Sequence, residues 1–189
     1  MKNAVILHGR PKKSEYYDPN IPSMSNAHWL PWLQNQLLIH GVAAQTPEIP
    51  LSYEPVWERW VREVERFDIS PDTTLVGHSC GGGFWLRYLS ERPDLRVGRV
   101  VLVAPWIDVE KQDPNHFFDF ELDQYVVGRT ERLTIFHSDK DAPEIESSLV
   151  ALQDKLRGAA FREFPGYGHF FAKHMKTETF PELLDELVG

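Results

Sequence analysis

One cysteine in 189 residues, Cys80, leaves no partner for an internal disulfide. That excludes a disulfide framework and fits a reducing compartment. Basic residues are also scarce: 20 Lys and Arg stand against 28 Asp and Glu, a net charge of −8. Arg10, Lys12 and Lys13 form the only dense positive cluster. With no basic stripe, neither nucleic acid nor an anionic membrane is expected as a partner. Long apolar runs are missing too. Ala4-Val5-Ile6-Leu7 is too short for a signal-peptide core, and nothing approaches the ~20 apolar residues of a membrane span. His28, His40, His116, His137 and His174 show no metal-ligand spacing with a carboxylate or thiolate, so neither metal nor cofactor is expected. These absences point to a soluble, cytoplasmic protein.

What is present is ordinary for a globular chain, with 42% hydrophobic and 25% charged residues. The length suits one well-buried core, so residues 1–189 read as a single domain. Apolar, β-prone runs recur at Ala4–Leu7, Val42–Gln45, Thr73–Val76, Arg99–Val103, Leu133–Phe136 and Ala160–Phe164. Several are almost continuously apolar, as parallel strands covered on both faces are. Helical periodicity lies between them, over Ala27–His40, Tyr53–Phe67, Cys80–Glu91, Ile145–Leu156 and Phe180–Val188. On the second of these, Glu58/Arg62 and Arg59/Glu63 stand at salt-bridge spacing. Six alternations of strand and helix predict an α/β fold with a doubly wound parallel sheet. Pro105–Thr130 breaks the rhythm; its aromatics serve either as packing or as a small cap over a pocket.

Between the third run and its helix stands Gly77-His78-Ser79-Cys80-Gly81. A serine on a sharp strand-to-helix turn sits in a strained backbone, and small residues two before and two after it let the turn close. The helix N-terminus behind it offers unpaired N–H groups to a developing oxyanion. A Gly-rich phosphate turn would not need serine at the centre, and no lysine follows as in a phosphate loop.

In such a sheet, ligands bind beyond the carboxyl ends of the strands. The polar residues there are His8 and Gly9 after the first run, Ser79 after the third, and Asp108 after the fourth. Asp139 and Asp141 follow the fifth, and Gly166-Tyr167-Gly168-His169 the sixth. Ser…Asp…His is the chain order of an α/β hydrolase. Serine needs a neutral imidazole to take its proton, the imidazole needs a carboxylate to fix its tautomer, and the oxyanion needs donors. His169 is the candidate base. Asp141 leads the candidate acids because its loop is long enough to swing toward His169, with Asp139 and then Asp108 behind it. The backbone N–H groups of Cys80 and of Gly9 or Arg10 are the candidate oxyanion donors. Its thiol reads as a packed side chain. His8, His78, Trp106 and Tyr167 are candidate pocket residues.

Leu7-His8-Gly9, Gly77-His78-Ser79-Cys80-Gly81-Gly82, Phe136-His137-Ser138-Asp139-Lys140-Asp141 and Gly168-His169-Phe170 together resemble the small YdeN-like serine hydrolases. That group includes the retinoblastoma-binding serine hydrolase. The resemblance implies a minimal α/β-hydrolase fold of six parallel strands in the order 2-1-3-4-5-6. It also implies Ser79 as nucleophile, Asp141 as acid and His169 as base. The small residues usual after the first strand are replaced here by Arg10-Pro11-Lys12-Lys13, and no Leu-x-Cys-x-Glu motif exists to carry a retinoblastoma partner. The expectation is cleavage of a small ester, amide or thioester through an acyl-Ser79 intermediate, with a small-molecule acyl substrate as partner. The rivals are an idle hydrolase scaffold used for binding and an acyltransferase on the same three residues.

Overall fold

A computed structural model of the chain describes residues 2–189. Six strands, β1 (Asn3–Leu7), β2 (Ala43–Gln45), β3 (Thr73–His78), β4 (Val97–Val103), β5 (Thr130–His137) and β6 (Ala160–Glu163), form one sheet. Its order is β2-β1-β3-β4-β5-β6 and every pairing is parallel. The central strands are buried almost throughout, which is why they read as apolar runs without alternation. Register pairs Leu7 with Gly77, His78 with Val103, and Val103 with Phe136. The carboxyl ends of four strands therefore finish side by side, and the loops after them share one edge.

The described residues form seven α-helices: α1 (Lys13–Tyr16), α2 (Leu30–Ile39), α3 (Trp57–Val64), α4 (Cys80–Ser90), α5 (Pro143–Lys155), α6 (Ala172–Met175) and α7 (Pro181–Val188). Right-handed crossovers put α2 on one face and α3, α4 and α5 on the other. Trp57 and Trp60 of α3 meet Phe84 of α4 at ring-centroid distances of 5.0 and 5.6 Å. Phe117 closes that cluster, 5.3 Å from Trp60. Beneath α2, Trp29 packs on Phe180 at 5.8 Å. A buried carboxylate, Glu186 of α7, takes Arg132 at 3.0 Å, Arg162 at 2.8 Å and the Thr134 hydroxyl at 2.7 Å. Paired three ways, it ties the last helix to β5 and β6.

Several boundaries differ from the sequence expectation. The helix over 27–40 starts only at Leu30, because His28 takes a left-handed backbone (φ 59) that no helix can continue through. The helix over 53–67 is Trp57–Val64, since Val56 is extended at its entrance. Arg59 does not pair with Glu63: its guanidinium caps the Leu51 and Glu54 carbonyls, and Glu63 takes Arg66 instead. In the 105–130 connection, Phe117 and Phe118 are buried, Tyr125 is exposed, and a 3-10 turn spans Gln124–Arg129.

Candidate active site

Ser79 is the hinge between β3 and α4, with φ 54 and ψ −118. An L-residue held there costs about 1–3 kcal/mol, so the surroundings must over-determine it. They do. Its N–H donates to the Val103 carbonyl at 2.9 Å, and its own carbonyl accepts from Gly82, Gly83 and Trp106 at 2.9, 3.1 and 3.1 Å. The two glycines of the motif are required by clearance: a Cβ on Gly77 would lie 2.5 Å from the Gly81 carbonyl oxygen. One on Gly81 would lie 2.6 Å from that of His8.

Ser79, His169 and Asp141 line one cavity of about 360 Å³, together with Arg10, Trp106 and His174. His169 Nδ1 lies 2.8 Å from Asp141 Oδ1 and 3.1 Å from Oδ2. The side chains are 16% and 3% exposed, respectively, so the pair is largely shielded from water. Nδ1 donates to the carboxylate, which leaves Nε2 as the imidazole's acceptor. The loop bearing His169 is clamped on both sides of the residue: its carbonyl accepts from His78 Nε2 at 2.9 Å, and its N–H donates to His174 Nδ1 at 3.1 Å. Gly168 (φ 51) lets that approach happen, since a Cβ there would sit 2.9 Å from His174 Nδ1. The Ser79 hydroxyl makes no protein hydrogen bond among the described residues. Contacts of this kind often close only around substrate.

The other two aspartates have different work. Asp139 is exposed and accepts from the Gly166 N–H at 2.6 Å, a bond that holds its carboxyl below the ordinary range and ties the loop after β5 to the loop that carries His169. Asp108 folds over its own turn, accepting from the N–H groups of Gln112 and Asp113 at 3.0 and 2.8 Å. Burial pushes the Cys80 thiol far above its usual value, so it stays protonated. Among the described residues the N–H groups of Cys80, Gly9 and Arg10 donate to no protein acceptor. Gly9 lies against the Ser79 turn, where a Cβ would be 3.1 Å from that of Ser79.

Of the four candidate pocket residues, only Trp106 lines the cavity; Arg10 stacks on its ring at 4.5 Å. Tyr167 is a correction: its ring packs among Phe164, Phe170 and Phe180 and its hydroxyl reaches Glu182. The glycines on either side of it give the loop freedom, but its apolar ring follows the core. His8 and His78 are also drawn away from the cavity, because both end up fully buried beside the sheet. His8 donates from Nδ1 to the Gly9 carbonyl at 2.7 Å and accepts the Ile49 N–H on Nε2 at 3.0 Å, fixing the loop after β1. His174, Lys140 and Phe171 line the cavity without having been expected there. His174 sits on the four-residue α6, too short to show a period.

Three histidines around this loop edge are held neutral. Burial lowers His78 and His8 below the ordinary 6.5, against the pull of Glu48 on His8, and brings His28 to about 4, with Lys173 adding to the effect. A proton on His78 Nδ1 would have no partner, as that atom makes no hydrogen bond. The unfolded chain therefore binds more protons below pH 6.5, and stability is full above that value and lost as pH falls through it. Urea unfolding should show ΔG declining from pH 6.5 toward 4, with a slope approaching ~1.4 kcal/mol per pH unit from the fully buried His78 alone. A flat ΔG across that window would contradict the neutral assignment.

Six parallel strands in this order, with a left-handed serine between β3 and α4, define the α/β-hydrolase fold. A family model described as serine hydrolase matches residues 21–186, and the chain belongs to that family. It is 27% identical over 184 residues to YdeN of Bacillus subtilis (strain 168), covering 88% of this chain and 89% of that one. The crystal structure of the ydeN gene product superposes with a TM-score of 0.80 at 25% identity, covering 99% of this chain and 97% of the other. Est1E of Butyrivibrio proteoclasticus, solved with ferulic acid bound, shares the fold. Its TM-score is 0.66 at 14% identity, covering 100% of this chain and 87% of that one. No helix among the described residues is long and apolar enough to cross a membrane.

Proposed function

We propose that this serine hydrolase cleaves a small carboxylic ester through an acyl-Ser79 intermediate. The observation that carries the reading is the shielded His169–Asp141 pair in the same cavity as the strained Ser79. His169 Nε2 takes the Ser79 proton as Oγ attacks the ester carbonyl, and the carbonyl π pair becomes an oxyanion. The N–H of Cys80 and that of Gly9 or Arg10 receive this charge, at no reorganisation cost because they are already unpaired. Collapse of the tetrahedral species expels the alcohol, which leaves with the proton from His169. Water, deprotonated by His169, then attacks the acyl-Ser79 carbonyl; the acid is released and Ser79 regains its proton. Asp141 stabilises the imidazolium formed in each half.

Turnover needs His169 Nε2 free to take the Ser79 proton. The test is release of nitrophenolate from 4-nitrophenyl butyrate, saturable in substrate and stopped by prior treatment with a sulfonyl fluoride. Release no faster than with heat-unfolded protein would overturn the reading.

A further inference from the structure

A second cavity, of about 470 Å³, adjoins the one that holds Ser79. The two share Arg10 and Phe171 as walls. Its lining is otherwise largely apolar, with Ile21, Met24, Trp32 and Ala172 among the residues that form it. Its volume lies within the range of small-molecule pockets, roughly 300–1,000 Å³. Arg10, Lys12 and Lys173 on its walls are nearly balanced by Glu15 and Glu178. His28 adds no charge near neutral pH, since burial holds it at about 4. Its Nδ1 is occupied by the Ala172 N–H at 3.3 Å. A chamber of this kind selects on shape and apolarity rather than on charge. Ile21, 41% exposed, presents apolar surface at the chamber with nothing over it.

We propose that this chamber takes the apolar part of the substrate, a straight chain of about six to eight carbons or a single aromatic ring, which passes between Arg10 and Phe171 to set the ester carbonyl against Ser79. The proposal rests on Ser79 being the nucleophile. Each buried methylene then raises reactivity about three- to fourfold, until the chamber is full.

Phosphonates that modify the serine directly test it on the full chain. Second-order rate constants for labelling of Ser79 are compared for the 4-nitrophenyl ethyl esters of methyl- and hexylphosphonic acid. The 4-nitrophenyl hexyl ester of methylphosphonic acid supplies the other arm: it shows whether the chain enters as acyl group or as alcohol. The chamber predicts that one hexyl arm reacts at least about eightyfold faster than the methyl, ethyl parent. Ala172→Trp, which fills the chamber, should bring that ratio below about threefold, and Trp32→Ala should shift the optimum to a longer chain. Rates in both hexyl arms no faster than the parent's, or a preference that neither variant alters, would overturn the chamber while leaving Ser79 the nucleophile. No labelling by any phosphonate counts against the nucleophile itself, and the chamber falls with it.

Discussion

Ser79→Ala is expected to lower kcat for ester hydrolysis by roughly 10⁵-fold, leaving only what binding and oxyanion donors supply. The fold should survive, because the hydroxyl makes no hydrogen bond that the structure depends on. A stronger form of the same prediction uses glycine. With φ 54 and ψ −118, Ser79 occupies backbone space that glycine enters freely and other residues do not. Ser79→Gly should therefore be inactive and yet more stable than the parent, by about 1 kcal/mol or some 2–4 °C in Tm. A turn retained only for packing predicts no such exchange of stability for activity. Thermal unfolding of the alanine and glycine variants, read beside their turnover, checks both halves; a glycine variant less stable than the parent would remove the strain argument.

The second large effect belongs to the acid. Asp141→Asn keeps the size of the side chain but offers His169 Nδ1 an amide in place of a carboxylate that now sits 2.8 Å away. The imidazole loses its fixed tautomer and its counter-charge, and kcat should fall by about 10³- to 10⁴-fold. The neighbouring aspartates make the comparison decisive. Asp139→Asn retains an oxygen for the Gly166 N–H, so activity should change only a few-fold. Asp108→Asn leaves one of two turn N–H groups without its acceptor and should cost about 1 kcal/mol of stability, with little change in turnover. Steady-state kinetics on the three variants assigns the acid. A large loss in Asp139→Asn or Asp108→Asn with Asp141→Asn unaffected would reassign it.

The parallel sheet was legible because its central strands bury both faces and leave near-continuous apolar runs such as Val100–Val103, whereas the strand order came from the family resemblance alone. The Ser79 turn was legible for a related reason: its clearances demand glycine at 77 and 81, and so mark the sequence. Other features left weaker traces. His28 interrupts a helical pattern by taking φ 59, a choice that a histidine does not announce. Tyr167 stands between two glycines near His169, yet its ring goes to the Phe164–Phe180 cluster. Whether a loop aromatic faces a cavity or the core depends on what the rest of the chain leaves open. His174 reaches the His169 N–H from a short helix with no periodicity to read. The apolar chamber is assembled from segments near residues 10–32 and 171–178, far apart in sequence, and no local pattern foreshadows it.

Every step of the proposed mechanism requires that Ser79 be the residue that becomes acylated. Intact-mass analysis of the folded protein after treatment with a fluorophosphonate, followed by peptide mapping, measures it directly. One adduct per chain is expected, on Ser79, absent from Ser79→Ala and slowed strongly in Asp141→Asn. An unmodified folded chain, or an adduct on another residue that persists in Ser79→Ala, would contradict it.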